Sequence, residues 1–119
     1  MAQLNWSEPA RDDLEEIIRY YGNFSHKTAV YYSEEILKAG DRLMLMPAMG
    51  PKEPLLEQYK RNYRYVVVLR HYKIIYLYEN NVCSILMIWD YRQNPNTLKD
   101  SDRFESLNLK SLNQQITNM

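Results

Sequence analysis

Apolar residues recur along the first 47 positions with the spacing of two helices. Ala10, Leu14, Ile17, Ile18 and Tyr21 line one face of a helix, with Ser7 ahead of them as N-cap and Pro9 in the first turn, where a missing N–H costs nothing. Glu8, Asp12 and Asp13 sit near the positive end of the helix dipole, and Gly22 is a natural stop. Ser25 caps a second, longer helix whose inner stripe is Ala29, Tyr32, Ile36 and Leu43, interrupted by Gly40 and ended by Pro47. A few residues around Asn23 join the two into an antiparallel hairpin. Gln3 to Trp6, ahead of the first helix, is a short strand candidate.

From Tyr63 to Pro95 the pattern changes to three consecutive strands. Asn80 and Asn81 form a two-residue connection, and Asn is the non-glycine residue that best tolerates the positive φ of a tight hairpin. That turn sets a register in which Glu79 faces Val82, Tyr78 Cys83, Leu77 Ser84, Tyr76 Ile85, Ile75 Leu86, Ile74 Met87, Lys73 Ile88, Tyr72 Trp89 and His71 Asp90. Facing residues share a side. One side therefore collects Tyr72, Ile74, Tyr76, Tyr78, Cys83, Ile85, Met87 and Trp89, which is core. The other collects His71, Lys73, Glu79, Ser84, Asp90 and Arg92 among Ile75, Leu77, Leu86 and Ile88, and is the expected working surface. The boundary between the first two strands, around Leu69 to His71, lacks ordinary turn residues.

The resulting fold class is α+β, in the order β-α-α-β-β-β, with an antiparallel sheet covered on one face by the helix hairpin. Residues 47–62 carry three prolines and a glycine and read as a loop with a turn of helix near Leu55. Residues 1–98 form the single domain. Residues 99–119 are a polar tail in which Phe104, Leu107, Leu112 and Ile116 hint at a short helix.

With 119 residues the chain can bury roughly two-thirds of its unfolded surface around one core. Fifteen basic side chains balance fifteen acidic ones, so no long-range field draws it to nucleic acid or an anionic membrane. The balance is uneven along the chain. Residues 1–46 hold five basic and eight acidic side chains, and residues 47–98 hold seven and four, so the sheet half is the basic half. One cysteine excludes an internal disulfide framework, and two histidines with no second thiol give no zinc spacing. Cys83 is expected to be an inert buried thiol. No cofactor or metal is implied. The N-terminus has no signal-peptide pattern, and no run approaches the roughly 18 apolar residues of a membrane span. A soluble cytoplasmic protein is expected.

Several residues in this order resemble the RelE/ParE family of bacterial toxins, the toxic halves of type II toxin–antitoxin pairs of the plasmid-stabilisation type. They are Trp6 with Ser7 opening the first helix, the Ala10, Leu14, Ile17 stripe, Ala29 with Ile36, Pro47 followed by Gly50, Tyr72-Lys73-Ile74-Ile75-Tyr76, and Ile85 to Asp90 closing on Arg92 and Pro95. The resemblance covers roughly residues 3–98. Lys73 stands where the family often has arginine, which keeps charge and loses the fork geometry.

The resemblance implies a cognate antitoxin, a possible hetero-oligomer with it, and one of two targets. One branch cleaves messenger RNA on the ribosome; the other binds DNA gyrase and stalls it. A metal-independent endoribonuclease needs a proton acceptor, a proton donor and cations for the developing charge, and His71, Asp90, Tyr91, Lys73, Arg64 and Arg92 are the available set. Asp90 opposite His71 would raise and orient the imidazole, although a cross-strand ion pair is the plainer explanation. Ile75, Leu77, Leu86 and Ile88, with Lys73 and Arg92, are the antitoxin contacts the resemblance implies; a monomer leaving the four apolar residues wet would expose a sizeable patch, which points to a partner or to cover from the C-terminal tail. The neutral total charge favours the gyrase branch over ribosome-docked nucleases. The alternatives are the nuclease and a non-toxic interaction module on the same fold. A generic RNA-binding sheet is disfavoured, since its stacking aromatics would have to lie on the open side.

Overall fold

The computed structural model describes residues 1–92. Strand β1 (Gln3–Trp6) leads into helix α1 (Glu8–Gly22) and helix α2 (His26–Leu45). A 3-10 turn (Pro54–Tyr59) precedes β2 (Tyr63–Val68), β3 (Tyr72–Glu79) and β4 (Val82–Asp90). The polar tail predicted for residues 99–119 lies outside the described residues.

Both helices start where the sequence predicts. The Ser7 and Ser25 side chains accept hydrogen bonds from Ala10 and Thr28 N–H, each at 3.2 Å. α2 buries Ala29, Ile36, Ala39 and Leu43, and each fully buried Ile or Leu contributes about 1.5–3 kcal/mol. Gly40, the break in that stripe, is where the Trp6 ring enters. A Cβ at Gly40 would stand 2.6 Å from Trp6 Cζ2.

The sheet order is β1-β4-β3-β2. β2, β3 and β4 form an antiparallel meander, whereas β1 runs parallel to β4, so the sheet is mixed rather than wholly antiparallel. Asn80 and Asn81 make the predicted hairpin turn, with φ of 53° and 62°. Leu69 and Arg70 make a second tight turn of the same kind, at 54° and 70°. Neither residue favours that region, which is why the sequence marks no turn there.

The predicted register holds from Glu79/Val82 to Tyr76/Ile85 and then slips by one. Leu86 is the extra residue of a β-bulge, after which Ile75 faces Met87, Ile74 Ile88, Lys73 Trp89 and Tyr72 Asp90. The slip moves Met87 and Trp89 off the helix-facing core. Ile88 takes their place beside Ile74, Tyr72 and Ile17.

The second side of the sheet is not open. The 3-10 turn folds over it, and Leu56, Tyr63, Ile75, Leu77, Leu86 and Met87 form a second core with Leu55, Tyr59, Tyr65 and Trp89 at its margin. The connecting segment is strapped down by polar groups. The Tyr76 hydroxyl donates to Pro47 O at 2.8 Å and accepts from Gly50 N–H at 3.2 Å. Arg64 donates to Gly50 O at 2.7 Å. Gly50 lies so close to β2 that a Cβ there would be 2.2 Å from Tyr65 O.

Candidate functional site

The four apolar residues expected to meet an antitoxin are covered by the chain itself. Ile75, Leu77, Leu86 and Ile88 are 0%, 3%, 2% and 7% exposed, the first three under the 3-10 turn and Ile88 under α1. The sequence predicts an exposed patch because it counts residues 47–62 as a passing loop. Leu55 and Leu56 instead make that segment a lid.

Of the six residues proposed for RNA chemistry, His71, Asp90, Tyr91 and Arg92 gather where β3 begins and β4 ends, with Tyr91 N–H donating to His71 O at 3.1 Å, whereas Lys73 and Arg64 lie apart on opposite sides of the sheet. Lys73 lies on the second side, 3.1 Å from Glu53 Oε2 and 4.2 Å over the Tyr65 ring. Arg64 pairs with Tyr76 and so lies on the helix side, where it binds Gly50 O, Ala48 O and Asn62 Oδ1. His71 does not face Asp90, since the bulge gives Asp90 to Tyr72. Its ring packs on Tyr72 at 4.3 Å, and its Nε2 is buried without a hydrogen-bond partner. Tyr91 turns its hydroxyl to Arg70 O.

Asp90 and Arg92 do meet. Arg92 donates from Nε at 3.0 Å and from Nη2 at 2.7 Å to the two carboxylate oxygens. This fork holds the Asp90 carboxyl below the usual carboxylate range, against the opposing effect of burial. Four of the seven cations of the sheet half are thus engaged within the chain: Arg61 on Glu79, Arg64 on carbonyls, Lys73 on Glu53 and Arg92 on Asp90.

The bulge builds a concave site on the other side of the sheet. β1 ends at Trp6, so β4 beyond Ile85 has no strand on the edge away from β3, and α1 with its N-cap supplies the missing partners. Ser7 Oγ donates to Leu86 O at 3.2 Å, and Asp13 Oδ2 accepts from Ile88 N–H at 3.0 Å. The space left between α1 and the end of β4 is a cleft of about 500 Å³, walled by Asp13, Glu16, Tyr20, Tyr21, Tyr72 and Asp90, with Arg92 at its edge. Burial, then the neighbouring Tyr21 hydroxyl, raises the Tyr72 and Tyr32 phenols above the ordinary tyrosine range. The α1 and tyrosine contributions were missed from sequence. The available signal was Asp13, a carboxylate on the buried stripe between Ala10 and Ile17.

Residues 4–95 match the family described as ParE toxin of type II toxin-antitoxin system, parDE. The chain belongs to the ParE toxin family. Among solved structures, a chain of the "Chromosomal ParDE TA system from P. aeruginosa" is similar at 19% identity, with a TM-score of 0.59 over 74% of this chain and 94% of that one. At that identity the likeness speaks for the fold, and it agrees with the strand, helix hairpin and three-strand order found here. A comparison with curated proteins gives no match. As a ParE-family member the protein is a type II toxin, and the family implies an antitoxin partner. Among the described residues no helix is long and apolar enough to cross a membrane.

Proposed function

We propose that this ParE-family toxin acts by binding DNA gyrase and stalling it, not by cutting RNA. The observation that carries this reading is the separation of the cations Lys73 and Arg64 from each other and from the His71, Asp90, Tyr91 and Arg92 group. RNA cleavage through the 2′-hydroxyl needs a base, an acid and a cation converging within hydrogen-bond reach of one phosphate. Here Lys73 and Arg64 lie on opposite sides of the sheet, each held by groups of the chain itself. Asp90 is held by Arg92, and His71 Nε2 is buried. A neutral total charge adds no field to hold a polyanion. Binding a protein target needs no such convergence, only a shaped surface.

Two assays on the purified chain test this. Gyrase-catalysed supercoiling should be inhibited as toxin is added, and translation-dependent mRNA cleavage should stay at background. Cleavage without gyrase inhibition would reverse the assignment. Inactivity in both, together with normal growth on strong expression, would point to the non-toxic interaction module.

A further inference from the structure

We propose that the cleft between α1 and the end of β4 is a docking pocket for an arginine side chain carried by a protein partner. Three carboxylates, Asp13, Glu16 and Asp90, line it against the single guanidinium of Arg92. They are not equivalent. Asp13 is occupied by Ile88 N–H and Asp90 by Arg92, whereas Glu16 has no hydrogen-bond or ion-pair partner among the described residues. Glu16 and Tyr20 are four residues apart on α1, so the unpaired carboxylate and an exposed ring stand on one face.

Tyr20, Tyr21 and Tyr72 are the tyrosines of the cleft wall. Outside the cleft their rings continue into exposed Phe24, 5.4 Å from Tyr20, and into Tyr32, 4.1 Å from Tyr21 and 6.4 Å from Tyr72, while Tyr20 and Tyr21 stand 5.0 Å apart. Tyr20 and Phe24 are 58% and 75% exposed, a large apolar surface for solvent to cover. Faces of electron-rich rings beside an unpaired carboxylate attract a cation, and a guanidinium can stack on a ring while its N–H fork reaches the carboxylate.

The same charges argue against other ligands. A phosphate backbone would meet three carboxylates with only Arg92 to offset them. A metal ion is not expected either, since no group of three or more metal-ligating side chains is gathered among the described residues. This inference concerns a contact of the toxin with a protein, and it stands apart from whether gyrase or the ribosome is the target.

The test titrates the intact isotope-labelled chain with the capped tripeptide Ac-Gly-Arg-Gly-amide, following backbone amide shifts. Its neutral citrulline counterpart and a short oligo-dT are run in parallel. Saturable shifts should centre on Glu16, Tyr20, Tyr21, Tyr72 and Asp90, and weaken at raised salt. Citrulline should bind about fivefold or more weakly, the scale of one cation–π contact with a partly exposed ion pair. Glu16→Gln and Tyr20→Leu, both at exposed positions, should leave the fold intact and each weaken arginine binding severalfold. Equal shifts with citrulline, shifts centred elsewhere, or oligo-dT binding in the cleft where the peptide does not would each overturn the proposal.

Discussion

The Asp13 carboxylate accepts the backbone N–H of Ile88 at 3.0 Å, joining α1 to the end of β4 across 75 positions of sequence. It stands in for the strand that β1 does not supply beyond Trp6. Asp13→Ala leaves a buried N–H without its acceptor, which costs about 1–3 kcal/mol. Asp13→Asn keeps an acceptor oxygen and should lose less. Urea denaturation measures both, and amide exchange at Ile88 should accelerate more in the alanine variant. An alanine variant as stable as the parent would show that the bond contributes nothing.

Lys73 and Glu53 form a pair in which the lysine is 17% exposed and the glutamate fully buried. Removing the lysine alone, as Lys73→Met, strands the carboxylate and should destabilise by about 3–5 kcal/mol. Adding Glu53→Gln should recover much of that loss. If Lys73 serves the fold, the double variant keeps its toxicity; loss of toxicity in a well-folded double variant would make Lys73 functional instead.

Gly50 admits no side chain. Its Cβ would stand 2.2 Å from Tyr65 O and 2.9 Å from the Tyr76 hydroxyl, so Gly50→Ala must push the 47–62 segment off β2. A loss of about 2–3 kcal/mol is expected, as for overpacked cores. Exposure of Leu56 and Leu77 should follow, read as increased binding of a hydrophobic dye. An alanine variant with parental stability and no added dye binding would show that the segment is not clamped.

Burial raises the phenols of Tyr32, Tyr63, Tyr72 and Tyr76 above their ordinary value. The folded state therefore holds those protons to higher pH than the unfolded chain does. Their contribution is complete below the unfolded pKa of about 10 and is lost as pH rises from there towards the folded values. Thermal melts should fall steeply above about pH 10, with ultraviolet titration showing these phenols ionising after the exposed ones. A flat melting temperature through that range would contradict the burial described. On the acid side Asp90, lowered mainly by Arg92, acts oppositely: its contribution is present above the usual carboxylate pKa and lost as pH falls through its lower folded value.

The local rules were legible in the chain. Ser7 and Ser25 cap helices because a hydroxyl can bond the free N–H groups of a first turn, and Asn80-Asn81 turns because Asn tolerates positive φ. The alternation predicted the helix-facing core along β3, from Tyr72 to Tyr78, and along β4 as far as Ile85. The Leu69-Arg70 turn left no trace in residue type, because its conformation is imposed by the strands it joins. The site suffered most. One extra residue at Leu86 reverses the side of everything beyond it, and nothing in the alternation of Ile85 to Trp89 reveals that α1 will satisfy the freed backbone groups.

Sequence by itself determined the element order, the helix caps, the Asn hairpin and the family, since each rests on residues near one another or on a pattern held along the strand. Tertiary structure alone decided that residues 47–62 close the second side, that the expected cations are spent on internal partners, and that tyrosines and carboxylates meet in a cleft. The reason is physical: a bulge and a lid depend on which distant group meets a backbone N–H or an apolar side chain, and for Ile88 that group is Asp13.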